Sequence, residues 1–484
     1  MTGTRHRDAA LLAVVVLITR LPFATQRLWE WDSVLYARAL EQGFHVSADI
    51  ADQRPHPPGY AFYVGAASAV RWVMGDSNAA LVLISIVASA AAAAAVFLLA
   101  RRFASREAAA FAALAFAVDP LVWAHSEIAL PYVVLALGSV ALAALFWDAR
   151  HGSDRRALVS SVAFGLAAGF RQDLLLVLGP LWLWSLFPGG PRRIAACCLA
   201  LAVACLLWLA PSAFASGGLG GYVAAVLAQS GTITGHSVAG GSGGDVLWYD
   251  LRFTILALAW GLFAVGALLL GLMLAPALHW ARRPAVRRPG EPATFFLLWI
   301  LPGLAVYLLW IIGDWGYVLS ILPALYVLCA ALLTAAFSRA HGAGVAVARG
   351  LLLAVVLGTA LFFVRSDGRW SASVLAAHDR SVADRIAFVR SHFSPDTTAI
   401  LAREDYQLAR YYLAEYLAWL YDPAPARGAE PPKAPPPTVV IFTPGLELRQ
   451  AVTLVPSPGE QLGLTVVSGQ GLKLAGPYPI AREP

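Results

Sequence analysis

Stretches of about 17–25 residues nearly free of charge recur from one end of this chain almost to the other, and that length is what an α-helix needs to cross a bilayer. They fall near 9–25, 79–100, 107–123, 128–147, 157–170, 174–187, 193–213, 249–278, 293–312, 316–338 and 350–365. Charged residues make up only 13% of the 484-residue chain and apolar residues 59%; ordinary globular proteins carry about 25% charged residues. A soluble globular protein is excluded for most of the length. The fold class expected is a polytopic α-helical membrane protein with about 11 spans, interfacial helices and a small extracytoplasmic α/β C-terminal domain. Spans 157–170 and 174–187 are short, and read as tilted half-spans meeting at Arg171–Asp173.

Basic residues set the orientation. Clusters at Arg5/Arg7, Arg101/Arg102/Arg106, Arg150/Arg155/Arg156, Arg192/Arg193, Arg282/Arg283/Arg287/Arg288 and Arg339/Arg349 fall in every second connection. The positive-inside rule then puts the N-terminus in the cytoplasm and the C-terminus outside. The net charge of +6 is accounted for by this pattern, so nucleic acid is not an expected partner. Opposite connections hold Asp32, Glu127, Asp173, Asp245 and Asp314. A crossing by residues 57–73 would break the alternation, so that segment reads as an amphipathic helix on the outer interface, a short crossing being the alternative. Arg5, His6 and Arg7 before an apolar run resemble a signal peptide, but Arg20 and Pro22 stand where small residues would mark cleavage. Cys197, Cys198, Cys205 and Cys329 all lie in apolar spans, which argues against a disulfide framework.

The division expected is a membrane part, 1–365, and an extracytoplasmic part, 366–484, with a proline-rich linker at 422–437. Within the membrane part, 26–78 forms the first outer loop and 214–248 a second, whose glycine density reads as mobile. In the C-terminal part, residues 378–393 and 405–420 have helical periodicity, and TAIL, TVVIF and LGLTVV read as strands.

The chemistry concentrates in WEWDSVLYARALEQGFHVSADIADQRPHPPGY, residues 29–60. Asp32 follows two tryptophans at a membrane surface, where desolvation raises a carboxylate's pKa and lets it take a proton from a hydroxyl. Its plain alternative is the N-cap of SVLYARALEQG. Prolines hold Arg54 and His56 rigidly where a lipid phosphate would lie. Glu127, in AHSEIAL, reads as a carboxylate at a helix N-terminus, with catalysis as the second option. Arg171 and Asp173 are ionisable groups at membrane depth, which are functional candidates even if they pair with each other. His236 and Asp245 are the reactive residues of the second outer loop. Motifs for nucleotide binding, zinc proteolysis and serine hydrolysis are absent from the sequence.

These pieces, in this order, resemble the GT-C superfamily of membrane glycosyltransferases, which includes protein O-mannosyltransferases and aminoarabinose transferases. The resemblance is carried by RLPF, WEWDSVLYA, HPPGYAFYV, LLARRFASREAAAFAALAFAVDP, HSEIALPYVVLALGSVALAALFWDAR, GLAAGFRQDLLLVLGPLWL, GYVLSILPAL and VADRIAFVRSHFSPDTTAI. It implies an inverting transfer of a sugar from a polyprenyl-phosphate donor to a hydroxyl of a protein, lipid or envelope glycan at the outer face. It implies Asp32 as the catalytic base, to which Glu127 is added as a catalytic candidate from its own position, and it makes His56, Arg54 and Arg171 the candidates for the donor-phosphate contact; Asp173 and His236 are further candidates. The chain departs from the pattern at Ser33, where many relatives have a second acid. It departs also at His56, where aminoarabinose-type relatives have lysine, and at Gly316, where many have arginine before the tyrosine. Some relatives use a divalent metal and others none; Asp32, Glu127 and His236 are the candidate ligands. The competing class is a transporter or flippase of a lipid-linked sugar, which would show internal repeats and interrupted helices near the midplane.

Overall fold

The computed structural model describes residues 2–234, 237–239, 241, 244–280, 290–310, 314–338, 343–421, 435–448, 452–470 and 472. Its centre is the helix Ser77–Ala100, whose run of alanines lets neighbouring helices approach closely. Asp76 caps it, its carboxylate accepting the Ala79 N–H at 2.7 Å. Thr2–Arg20, Arg106–Val118 and Tyr132–Arg150 pack around it, burying Ala92, Ala93, Val96 and Ala100 completely. On the outside of the bundle Leu199, Val203, Leu206 and Leu207 of Gly190–Ala215 are more than half exposed, a side chain pattern suited to lipid and not to water.

Five of the described helices are long and apolar enough to cross a membrane, or seven if each of two bent pairs counts as one span. One of the five is the 43-residue stretch Asp173–Ala215. It folds back at Phe187–Gly190: Trp182 bonds Ser161 and Trp208 bonds the Gly165 carbonyl, so both legs lie along Asp154–Ala168. The expected figure of 11 exceeds what length and composition support among the described residues. Predicted spans 107–123 and 249–278 are each broken, with bends of 60° and 102°. One carboxylate joins the breaks. Asp119 caps Pro120–Ser126 through the Leu121 N–H and accepts from the Phe263 N–H and the Tyr326 hydroxyl. Backbone groups freed at a helix break inside a membrane require such partners.

Ion pairs gather the arginine clusters at one end of the bundle: Arg106 with Asp8, Arg102 with Asp148, Arg150 with Glu291, and Arg349 with Glu107. The helix Ala61–Met74 has both ends at the opposite end of the bundle. Its first turn bonds the Gly169 carbonyl, and Arg71 in its last turn reaches Ser77 and the Leu40 carbonyl. Both of these anchors hold it along that end of the bundle.

Within 214–248, expected as a glycine-rich loop, Leu219–Thr234 is helical and packs on Gly190–Ala215. The linker is described only at 435–437.

The C-terminal part has one sheet in the order β2-β1-β3-β4, with β1 Thr398–Ala402, β2 Leu417–Leu420, β3 Thr438–Ile441 and β4 Thr465–Ser468. β1 pairs parallel with β2 and β3, and β3 pairs antiparallel with β4. Residues 405–420, expected as one helix, divide into a helix Tyr406–Tyr412 and strand β2. Tertiary pairing of LAWL with β1 overrides its helical periodicity. The helix Ala372–His392 covers one sheet face through Val382, Ile386 and Val389.

Candidate functional site

The helix Trp31–Gln42 carries the first candidate. Its N-cap is Glu30, whose carboxylate accepts the Ser33 N–H, so Asp32, in the first turn, is not the cap. The His56 ring lies against it, with Nε2 3.4 Å from Asp32 Oδ2. The other ring nitrogen, Nδ1, is 2.6 Å from the Pro57 carbonyl and must donate to it. A histidine facing a carbonyl on one side and a carboxylate on the other is favoured as the cation. Burial opposes that charge, yet Asp32 and the carbonyl outweigh it, and the His56 pKa is raised. For Asp32, burial pushes up, but His56 and the more distant Arg171 charge prevail, and its pKa is lowered. The expectation of a raised value fails because a cation, not only aromatic rings, sits beside the carboxylate.

Glu30 is different. Burial, with Asp314 and Asp32 close by, pushes it well above the usual range. The two acids of WEWD are thus driven apart, one ionised and one inclined to keep its proton, a separation typical of acid–base sites.

Tyr60 links this pair to the next candidate. It has a left-handed backbone, φ 50°, at the start of Ala61–Met74, and such strain in a non-glycine residue concentrates at functional sites. Its ring meets His56 at 5.4 Å and Tyr36 at 5.5 Å. Arg171, at the junction of the two half-spans, is enclosed by Tyr132, Tyr60 and Tyr317, whose ring centroids lie 4.9, 5.5 and 5.7 Å from its guanidinium. Asp173 holds it with two bonds of 3.2 and 2.9 Å. The Tyr132 hydroxyl donates to Asp314 Oδ2 at 2.9 Å, and Asp314 Oδ1 accepts the Gly316 N–H at 2.8 Å. Asp32, His56, Arg171, Asp173 and Asp314 therefore form one polar cluster at the end of the bundle opposite the arginine pairs. Two residues near the end of Gly190–Ala215 bind the chain around it: Tyr222 donates to the Pro58 carbonyl and Ser216 to the Val46 carbonyl, each at 3.1 Å.

Two other candidates stand apart. Glu127 is at the C-terminal end of Pro120–Ser126, not at a helix N-terminus, and is completely buried. Trp123 donates to it at 3.1 Å and Arg20 lies 3.9 Å away. Its chain carbonyl takes both the N–H and the hydroxyl of Thr25. It anchors the exit of the first helix and has no contact with Asp32. Arg54 turns toward Asp52 and the Gln42 carbonyl, both at 3.0 Å, and staples its own loop. His236 lies outside the described residues. No group of three or more His, Cys, Asp or Glu side chains among the described residues is placed to hold a metal ion; Asp32 and Glu127 are each held by a cation of the chain.

Sequence reasoning missed the aromatic enclosure. Tyr132 and Tyr317 are far apart in the chain, and each looked like an ordinary residue at a membrane surface. The one available signal was that both follow a turn on the same side as Arg171–Asp173 in the alternating topology.

Comparisons with known proteins agree with this architecture. Residues 55–214 match the family model of dolichyl-phosphate-mannose-protein mannosyltransferase. No curated protein sequence matches the chain. Among solved structures, ArnT from Cupriavidus metallidurans bound to undecaprenyl phosphate is similar over 99% of this chain and 100% of its own, with 15% identity and a TM-score of 0.60. The same protein in the apo state gives 97% and 98% coverage, 15% identity and a TM-score of 0.57. The chain is an integral multi-pass membrane protein with the GT-C fold. The resemblance drawn from its sequence holds along the whole of that fold.

Proposed function

We propose that this protein is an inverting glycosyltransferase. It moves a sugar from a polyprenyl-phosphate donor to a hydroxyl of a protein, a lipid or an envelope glycan at the outer face of the membrane. The observation that carries the reading is the Asp32–His56 pair beside the tyrosine-lined Arg171: a carboxylate base next to two cations suited to a phosphate. The family match over residues 55–214, which spans His56 and Arg171, and the ArnT likeness support it.

The donor phosphate sits against His56 and Arg171, with Tyr60 between them. An apolar groove of about 400 Å³ opens beside Arg171, lined by Phe170, Leu174, Val87, Leu137 and Val70, and takes the start of the prenyl chain. The acceptor oxygen attacks the anomeric carbon and its proton passes to Asp32. The carbon–oxygen bond to phosphate breaks and its electron pair leaves on the phosphate. Because the transition state is oxocarbenium-like, the hydroxyl proton is lost late, so a base of lowered pKa suffices. His56 and Arg171 meet the charge growing on the phosphate, the interaction that most lowers such barriers. The membrane part is 1–365 and the C-terminal domain 366–484. With the arginine end in the cytoplasm, Asp32 and the C-terminal domain face outward. A transporter would need access from both ends, whereas the arginine end is tied by ion pairs.

The test is incubation of purified protein with a polyprenyl-phosphate sugar and hydroxyl acceptors, followed by mass spectrometry. Release of polyprenyl phosphate with a glycosylated product supports the reading. Movement of intact donor across vesicle membranes without product would replace it with the flippase.

A further inference from the structure

Asp32 stands at the end of a short backbone run that is gripped from outside the membrane part. Asp379 accepts the Gln26 N–H at 2.7 Å with one carboxylate oxygen and the Arg27 N–H at 3.0 Å with the other. The Tyr412 hydroxyl accepts the Leu28 N–H at 2.9 Å, and its ring lies under the Arg27 guanidinium. His378 Nε2 donates to the Leu28 carbonyl at 3.2 Å, and its ring packs on Trp29 at 4.3 Å. Tyr406 packs on Trp31. Past Asp32, Tyr411 donates to Glu41, while Gln407 and Arg410 donate to the Ile50 and Ala51 carbonyls. Glu30, within this run, caps the helix that begins with Trp31 and Asp32.

We propose that the C-terminal domain is part of the catalytic unit. Asp379, His378, Tyr412 and Tyr406 are positioning residues that fix the backbone from Gln26 to Trp31, and through it the place of the Asp32 carboxylate. This rests on the transferase reading above. Successive backbone groups are taken in turn, which fixes the path of the chain itself. Burial raises the Asp379 pKa, and the two N–H groups offset this only in part. A folded value above the unfolded one means that the ionised Asp379 weakens the fold at neutral pH, and protonation below the folded value relieves it. A domain that sets the base's position also gives an acceptor, docking on that domain, a route to the site.

The test is Asp379→Asn in the full chain. The amide keeps one acceptor oxygen and presents an N–H to the other backbone N–H, so one anchor is lost without a buried charge remaining. The expected result is a fall in kcat of about 10-fold to 10²-fold, the scale of a displacement near 1 Å. Donor KM should stay within about twofold, and thermal stability should be unchanged or higher. Tyr412→Phe should lower kcat in the same direction, and Ser391→Ala, which removes an exposed hydroxyl bond to the Phe388 carbonyl in the same domain, should not. A wild-type kcat in Asp379→Asn and Tyr412→Phe, or a kcat that falls only in step with melting temperature, overturns the proposal. Failure of the wild type itself to transfer sugar would instead strike the reading on which it rests.

Discussion

Gly316→Ala is a one-carbon change whose consequence can be worked from contacts. The backbone there is ordinary, with φ −74°, so glycine is needed only for space. A Cβ would meet the Tyr132 ring at 2.1, 2.3 and 2.4 Å, against the 3.4 Å where ordinary contact begins. The ring must retreat by about 1 Å, and overpacking of this kind costs about 1–3 kcal/mol. Tyr132 cannot move freely, because its hydroxyl is bound to Asp314 and its face to Arg171. Retreat therefore lengthens the hydroxyl bond and withdraws one face from the guanidinium, a contact worth about 0.5–2 kcal/mol. A shift of that size at a phosphate-binding cation lowers turnover about 10²-fold, or roughly 2.7 kcal/mol. The assay is kcat and donor KM in detergent, with melting temperature alongside. The expected outcome is a drop in kcat/KM larger than the drop in stability explains. Wild-type kinetics with a folded variant would show that Tyr132 and Arg171 do not act on the donor.

Donor affinity should depend on pH through His56. Its pKa is raised from 6.5, so the imidazolium is complete below 6.5, persists somewhat above, and is lost as pH rises through the raised value. Donor KM should therefore climb on the alkaline side, and His56→Ala should raise KM and flatten that limb; a wild-type KM constant throughout the range above 6.5 would remove the phosphate contact. Asp32 is lowered from 3.8, so its carboxylate remains available down to pH values below the ordinary aspartate range. Glu127→Ala should reduce thermal stability by about 3–5 kcal/mol, because it leaves Arg20 buried without its carboxylate, while kcat of the folded fraction stays within a few-fold. A loss of kcat without a loss of stability would restore Glu127 to the chemistry.

What could be read from the sequence was set by periodicity and charge. The alternating arginines gave the two ends, and the proline-rich RPHPPGY gave a fixed turn beside Asp32. The junction at Arg171–Asp173 was visible as a gap between two short apolar runs. What could not be read depends on contacts across the chain. Asp32 next to aromatic residues suggested a raised pKa, but His56, 24 positions later, reverses it. Glu127 had the composition of a site acid, yet Arg20 and Trp123 consume it. Helical periodicity in 405–420 was real, but an edge of β1 was waiting for Leu417–Leu420. The break at Asp119 was marked by a charged residue directly before Pro120, whereas the one at Phe263 had no such mark; one carboxylate satisfies both.

The most direct measurement is a single-turnover rate with Asp32→Asn, using a radiolabelled polyprenyl-phosphate sugar bound in advance. The account predicts that donor still binds, since His56 and Arg171 remain, and that the transfer step slows by about 10²–10⁴. Transfer at the wild-type rate would contradict it, and would mean that the proton leaves the acceptor by another path.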